Sequence, residues 1–176
     1  MQVQDWQTIV AECGPLVWRT AYRLLGNHAD AADCFQETFL AALELSRRQP
    51  VRNMSGLLVR LATTRAIDRL RQRVRQEHWQ AQDRDCDETD SSGPAEQVQA
   101  HELVGQLREA IGELPLQEAK VFCLRYLSEM SYRQIAGQLG IGINIVGVAL
   151  YRAKARLRAA LGAPQIDKDE VNHGKA

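Results

Sequence analysis

The stretch from Ser131 to Arg158, SYRQIAGQLGIGINIVGVALYRAKARLR, limits the possible folds more than any other part of the chain. Ser131 with Gln134 three residues on is a capping-box pattern, in which each side chain satisfies a backbone N–H that the helix start leaves open. The spacing predicts a short helix over Tyr132–Leu139 that stops at Gly140, a GIG turn, and a second helix from near Asn144. Ile135, Ala136, Leu139, Ile141, Val146, Leu150, Ala153 and Leu157 recur at the interval that gives each helix one apolar face. A short helix, a glycine turn and a longer helix are the elements of a helix-turn-helix. Arg152, Lys154, Arg156 and Arg158 cluster on the second helix, which two helices packed in some other bundle would not require.

Helical periodicity extends over almost all of the remainder. LVWRTAYRLL, residues 16–25, sets Leu16, Val17, Ala21, Leu24 and Leu25 on one face, and Gly26-Asn27 ends it. Asn27 is a cap for the next helix, with Asp30 in its first turn, running to about Leu45 with Ala32, Phe35, Phe39, Ala42 and Leu43 inward. Ser55 is the expected cap of a third helix, LLVRLATTRAIDRLRQRVRQ. The pattern then gives way to RDCDETDSSGPAEQ, acidic and broken by Gly93-Pro94, which reads as a flexible linker. It resumes at about 97, with Pro115 near the first position of a further helix. The expectation is an all-α chain of two small helical domains, 1–76 and 101–162, joined by a flexible acidic linker over 77–100 and followed by a disordered tail, 163–176.

The charge follows the same division. The 22 basic and 22 acidic residues cancel, yet 1–76 carries 11 basic and 7 acidic residues, 77–100 carries 1 and 7, and 101–162 carries 8 and 5. Two basic lobes around an acidic strip are the electrostatic footprint of a nucleic-acid binder. No apolar run approaches the ~20 residues that span a bilayer, and MQVQDWQTIVAE is too polar for a signal peptide, so no membrane partner and a cytoplasmic location are expected. The cysteines at 13, 34, 86 and 123 show no C-x-x-C spacing, and Cys34 and Cys123 fall in apolar helical patterns, so small core residues are expected and no metal or other cofactor. His28, His78, His101 and His173 are scattered, and no nucleophile–base pair or phosphate loop is present, so no enzyme is expected.

Two more patterns concern partners. Arg60, Arg65, Arg69, Arg71, Arg73 and Arg75 stand within sixteen residues beside one acid, Asp68, and phosphate contact is the natural use of so many guanidinium groups. In DAADCFQETF, Asp33 and Glu37 are four apart and Gln36 lies beside them, an acidic helix face that suits a basic protein surface better than DNA.

Taken together, these residues resemble the extracytoplasmic-function (ECF) branch of the sigma-70 family. DAADCFQETFLAALE is similar to that family's region 2.2, which implies that Asp33, Gln36 and Glu37 dock on the coiled coil of the β′ subunit of core RNA polymerase. LLVRLATTRAIDRLRQR is similar to regions 2.3 and 2.4, which implies that Arg60, Arg65, Arg69, Arg71 and Arg73 act at the −10 element of promoter DNA. IGELPLQEAKVFCLRYLSEMSYRQIAGQLGI is similar to region 4, which touches the β flap and reads the −35 element, here with Arg133, Asn144, Val148, Tyr151, Arg152 and Lys154. The absence of a region 3 between them marks the small branch, and the resemblance allows an anti-sigma factor as a further partner. There are departures: Leu57 stands where the family usually has Trp, Thr64 where it has Asn, and Ile145, Gly147, Val148 and Ala149 replace polar residues of the recognition helix. Asn144 and Tyr151 keep groups able to reach base edges, so −35 reading leans on phosphate contacts and DNA shape. The alternative is a helix-turn-helix regulator acting without polymerase docking, which would not need the DAADCFQETF block.

Overall fold

The structure, a computed structural model, describes residues 5–83 and 95–162, with side chains over 5–79 and 100–162. Within the described residues every regular element is an α-helix: α1 (Trp6–Leu25), α2 (His28–Arg48), α3 (Met54–Asp83), α4 (Ala95–Glu113), α5 (Leu116–Tyr126), α6 (Tyr132–Leu139) and α7 (Ile143–Ala160). The expected linker core, residues 84–94, and the expected tail, 163–176, lie outside the described residues. The rest of the expected linker is helical, because α3 continues through Asp83 and α4 begins at Ala95.

Local chemistry accounts for most boundaries. Asp5 caps α1 by accepting from the Gln7 and Thr8 amides, so the helix starts ten residues before the apolar pattern of 16–25 becomes regular and runs through Pro15. Asn27 Oδ1 accepts from the Asp30 amide at 2.8 Å and starts α2. The third helix is capped by Asn53, not Ser55: Asn53 Oδ1 accepts from the Gly56 amide at 2.8 Å, which moves the start to Met54. The acceptor that caps the helix stands two residues earlier than expected.

Helix α3 is the spine. Leu57, Leu58, Val59, Ala62, Ala66, Ile67, Leu70 and Val74 are all buried, more than one apolar stripe would supply. One side packs with Val17 and Ala42 from α1 and α2, backed by Phe35 and Phe39. The other side meets the C-terminal half, where Ile67 and Leu70 share a core with Ile111, Leu114, Cys123 and Leu157, and Val59 joins Val121, Leu124, Ile135 and Val146. The all-α, two-domain organisation is therefore present, and the described helices of the two parts pack against each other. They close over one helix.

Cys34 and Cys123 are fully buried, as expected of small core residues. Burial pushes the Cys34 thiol up to about 11 and the Cys123 thiol up to about 12, so both stay protonated and unreactive at neutral pH. Ile67→Ala should cost about 2–5 kcal/mol, because the cavity opens where both parts of the core meet. Urea unfolding of that variant should remain a single transition at a lower midpoint; two separated transitions would show that the halves do not share a core.

Candidate nucleic-acid interface

The outer face of α2 is fixed by what its inner face buries. Ala31, Cys34, Thr38 and Ala42 point inward, which turns Asp33, Gln36, Glu37 and Leu40 outward. Asp33 and Gln36 are exposed, while Glu37 is half-buried because two arginines reach it from α3. Arg69 donates to Glu37 at 2.6 Å and Arg65 at 3.4 Å, and Arg69 also lies 3.6 Å from Asp33 and 3.8 Å from Asp30. Burial pulls the Arg69 guanidinium down, but the hydrogen bond and charge of Glu37 outweigh it and leave its pKa above the ordinary value. The acidic face and part of the basic helix are thus one mixed-charge surface. Leu40, 61% exposed beside Gln36 and Glu37, adds an apolar contact to this face that the charge pattern alone did not single out.

Two of the other arginines of α3 are also engaged. Arg71 donates to the Leu114 carbonyl at 2.6 Å, and Arg73 to the Leu25 carbonyl at 3.1 Å. Those carbonyls close α4 and α1, where the helix dipole favours a cation. Arg60 is half-buried, with its Nε enclosed and without a hydrogen-bond partner. Of the six arginines between 60 and 75, Arg75 alone is exposed. Leu57, where the family usually has Trp, is buried, and Thr64 is half-buried.

The helix-turn-helix forms as its pattern predicts. Ser131 and Gln134 complete the capping box, α6 covers Tyr132–Leu139, and Gly140 takes a left-handed φ of 66° that a side chain would strain. The chain turns through 103° between α6 and α7, in the range of DNA-reading pairs. Val146, Ala149, Leu150, Ala153 and Leu157 hold α7 down. That leaves Asn144, Val148, Tyr151, Arg152 and Ala155 outward, with Lys154 half-buried on the flank. Gly142 is the cap of α7, so Asn144 sits in its first turn with no capping duty. Arg133 is exposed on α6 and lines a cleft whose far wall is Asn53, Ser55 and Gly56.

Glu118, which the sequence patterns did not single out, is a buried acid in the first turn of α5, 3.1 Å from Arg156 of α7. It anchors the flank of the outward helix; burial of an acid leaves no mark in hydropathy spacing.

The comparisons agree with this layout. Residues 9–76 match the family model "Sigma-70 region 2" and residues 105–157 match "Sigma-70, region 4". The RNA polymerase sigma factor CnrH of Cupriavidus metallidurans is 30% identical over 163 residues, covering 88% of this chain and 85% of CnrH. The ECF RNA polymerase sigma factor SigW of Bacillus subtilis is 28% identical over 154 residues, covering 82% of each chain. SigE of Mycolicibacterium smegmatis, also an ECF RNA polymerase sigma factor, is 29% identical over 156 residues; the match takes in 88% of this chain and spans 60% of SigE. In fold, the chain is similar to the sigma factor RpoE solved with the anti-sigma factor NepR from Bartonella quintana, with a TM-score of 0.56 and 21% identity over 93% of this chain and all of that one. CnrH solved with the cytosolic domain of CnrY gives 0.58 and 23%, over 90% and 88% of the two chains.

Glu37→Ala should cost no more than about 1 kcal/mol, since it removes half-exposed ion pairs. Urea midpoints measure it. A loss of several kcal/mol would make Glu37 a core residue rather than part of a surface.

Proposed function

Because the chain belongs to the extracytoplasmic-function branch of the sigma-70 family, we propose that it binds core RNA polymerase and directs it to promoters through contacts at two DNA elements. The observation that carries this reading is the pairing of two outward faces on one chain. Asp33, Gln36, Glu37 and Leu40 form an acidic face with an apolar edge on α2, and Asn144, Val148, Tyr151 and Arg152 form a reading face on α7. A regulator acting without polymerase would have use for the second but not the first.

In this reading the α2 face docks on a basic surface of polymerase, the β′ coiled coil. The partner's cations then compete with Arg65 and Arg69 for Glu37 and Asp33, and those two arginines become available to DNA phosphates. Core docking and −10 contact are coupled by exchange of ion partners. Arg60, Arg71 and Arg73 extend the same helix toward the −10 element. The α7 face enters the major groove at the −35 element, with Val148 suited to a thymine methyl and Asn144 to the adenine edge. Arg133, Arg152 and Lys154 take phosphates. Region 4 also meets the β flap. The chain supplies position and strand contacts, and polymerase supplies the chemistry. The similar sigma factors solved with NepR and CnrY support an anti-sigma factor as a further partner.

Run-off transcription with core polymerase tests the reading. Asp33→Arg with Glu37→Arg should abolish core binding and initiation while the fold persists, and retained core binding would refute the docking assignment. Asn144→Ala should cost about 1–3 kcal/mol and relax selectivity at one adenine, whereas Arg152→Ala and Lys154→Ala should weaken all sequences evenly. Because Gly142 caps α7, a loss of base preference at Asn144 is not explained by a lost cap. An identical −35 consensus for wild type and Asn144→Ala in a selection from randomised promoters would overturn base reading by Asn144.

A further inference from the structure

The outward side of α7 is more apolar than packing requires. Ile145 and Val148 are each 49% exposed and Tyr151 is 74% exposed. Val146, Ala149, Leu150, Ala153 and Leu157 already fill the inward side, so the core does not account for these three. Single exposed apolar residues need no explanation. Three of them at successive three-residue intervals form a strip across the outward side of the helix.

Cations surround this strip. Between Ile143 and Ala160, α7 carries Arg152, Lys154, Arg156 and Arg158 and neither Asp nor Glu. Arg156 is paired with Glu118 on the flank, while Arg152 and Arg158 are exposed, as is Arg133 on α6. An apolar strip with a cationic, acid-free rim suits a polyanion that also presents apolar groups. Duplex DNA presents one on its base edges, the C5 methyl of thymine in the major groove. RNA lacks that methyl, and its major groove is too narrow for side chains to read. Ile145 and Val148 have neither donor nor acceptor on their side chains, so any base they read is read by shape and burial. Three residues rise ~4.5 Å along a helix, close to the ~3.4 Å between stacked base pairs. Neighbours in the strip therefore meet neighbouring base pairs.

We propose that Ile145 and Val148, with the Tyr151 ring beside them, recognise the C5 methyls of adjacent thymines, so that the −35 element of this chain is defined in large part by methyl groups. This deepens the promoter-binding reading above and rests on it. The ligand class is the 5-methylpyrimidine edge of duplex DNA. Arg152 and Arg133 hold the phosphates and set the depth of the helix, Asn144 addresses one adenine, and the strip selects the pairs beside it. Covering a methyl removes it from water, which corresponds to about fourfold in affinity for each one covered.

The test uses the full chain with core polymerase. A −35 element is selected from randomised promoters, and each thymine in it is then replaced singly by deoxyuridine, which keeps every hydrogen-bonding group and removes only the methyl. Affinity should fall about fourfold at each of two or more neighbouring positions. At those positions 5-methylcytosine should bind better than cytosine, because it restores the methyl on a different pair. Ile145→Ala and Val148→Ala place a strong helix former at exposed sites, so the melting temperature should hold. Each variant should bind the element more weakly and become indifferent to deoxyuridine at one of the positions. Should either variant melt early, the deoxyuridine series on the wild type still decides. A selected element without thymine, or one on which deoxyuridine changes nothing, overturns the methyl reading and leaves promoter binding standing. Variants that initiate poorly on every promoter alike, with sensitivity to deoxyuridine unchanged, make the strip a protein-docking surface and overturn it as well. Absence of selective initiation by the wild type counts against the promoter-binding reading itself, and the methyl reading falls with it.

Discussion

Everything in this molecule depends on α3 being buried on two sides. A helix with one apolar stripe can leave its neighbours independent; α3 buries Leu58, Val59, Ala62, Ala66, Ile67, Leu70 and Val74 and so must be covered from two directions. The first cover, α1 and α2, creates the acidic outer face by turning Asp33, Gln36 and Glu37 away from the core. The second, α4 to α6, brings the helix-turn-helix against the same rod. Both candidate faces are therefore placed by one element, and a change in how α3 is covered changes the distance between them.

The charges obey the same economy. Arginine is always protonated, and burying part of one favours a partner. Along α3 four of the five partly buried arginines have one, carboxylates of α2 for Arg65 and Arg69 and carbonyls at helix ends for Arg71 and Arg73. None of these pairs is strong when half-exposed, and that weakness suits a surface that must exchange its partners. A polymerase surface competes for the acids and DNA for the arginines, each at modest cost.

Much of this was legible in the sequence, and the limits have physical causes. The capping box at Ser131, the stop at Gly140 and the cap at Asn27 are local hydrogen-bond patterns, so α6, the turn and the start of α2 fall where the residues place them. Side-chain direction on α2 and α7 follows from 3.6-residue spacing, so the outward positions of Asp33, Gln36, Asn144, Val148 and Tyr151 were legible too. What periodicity does not encode is which apolar faces meet. Leu107, Ile111 and Leu114 show only that α4 has a face to bury, not that α3 takes it. For the same reason six arginines read as one basic surface, although five are partly buried and four of those five reach carboxylates or carbonyls that are distant in sequence.

The most direct measurement is the distance between α2 and α7, read by energy transfer between dyes at exposed positions such as Ala29 and Ala159. A chain built on a shared α3 should give one short, narrowly spread distance when free. A long or broadly spread distance in the free chain would contradict it.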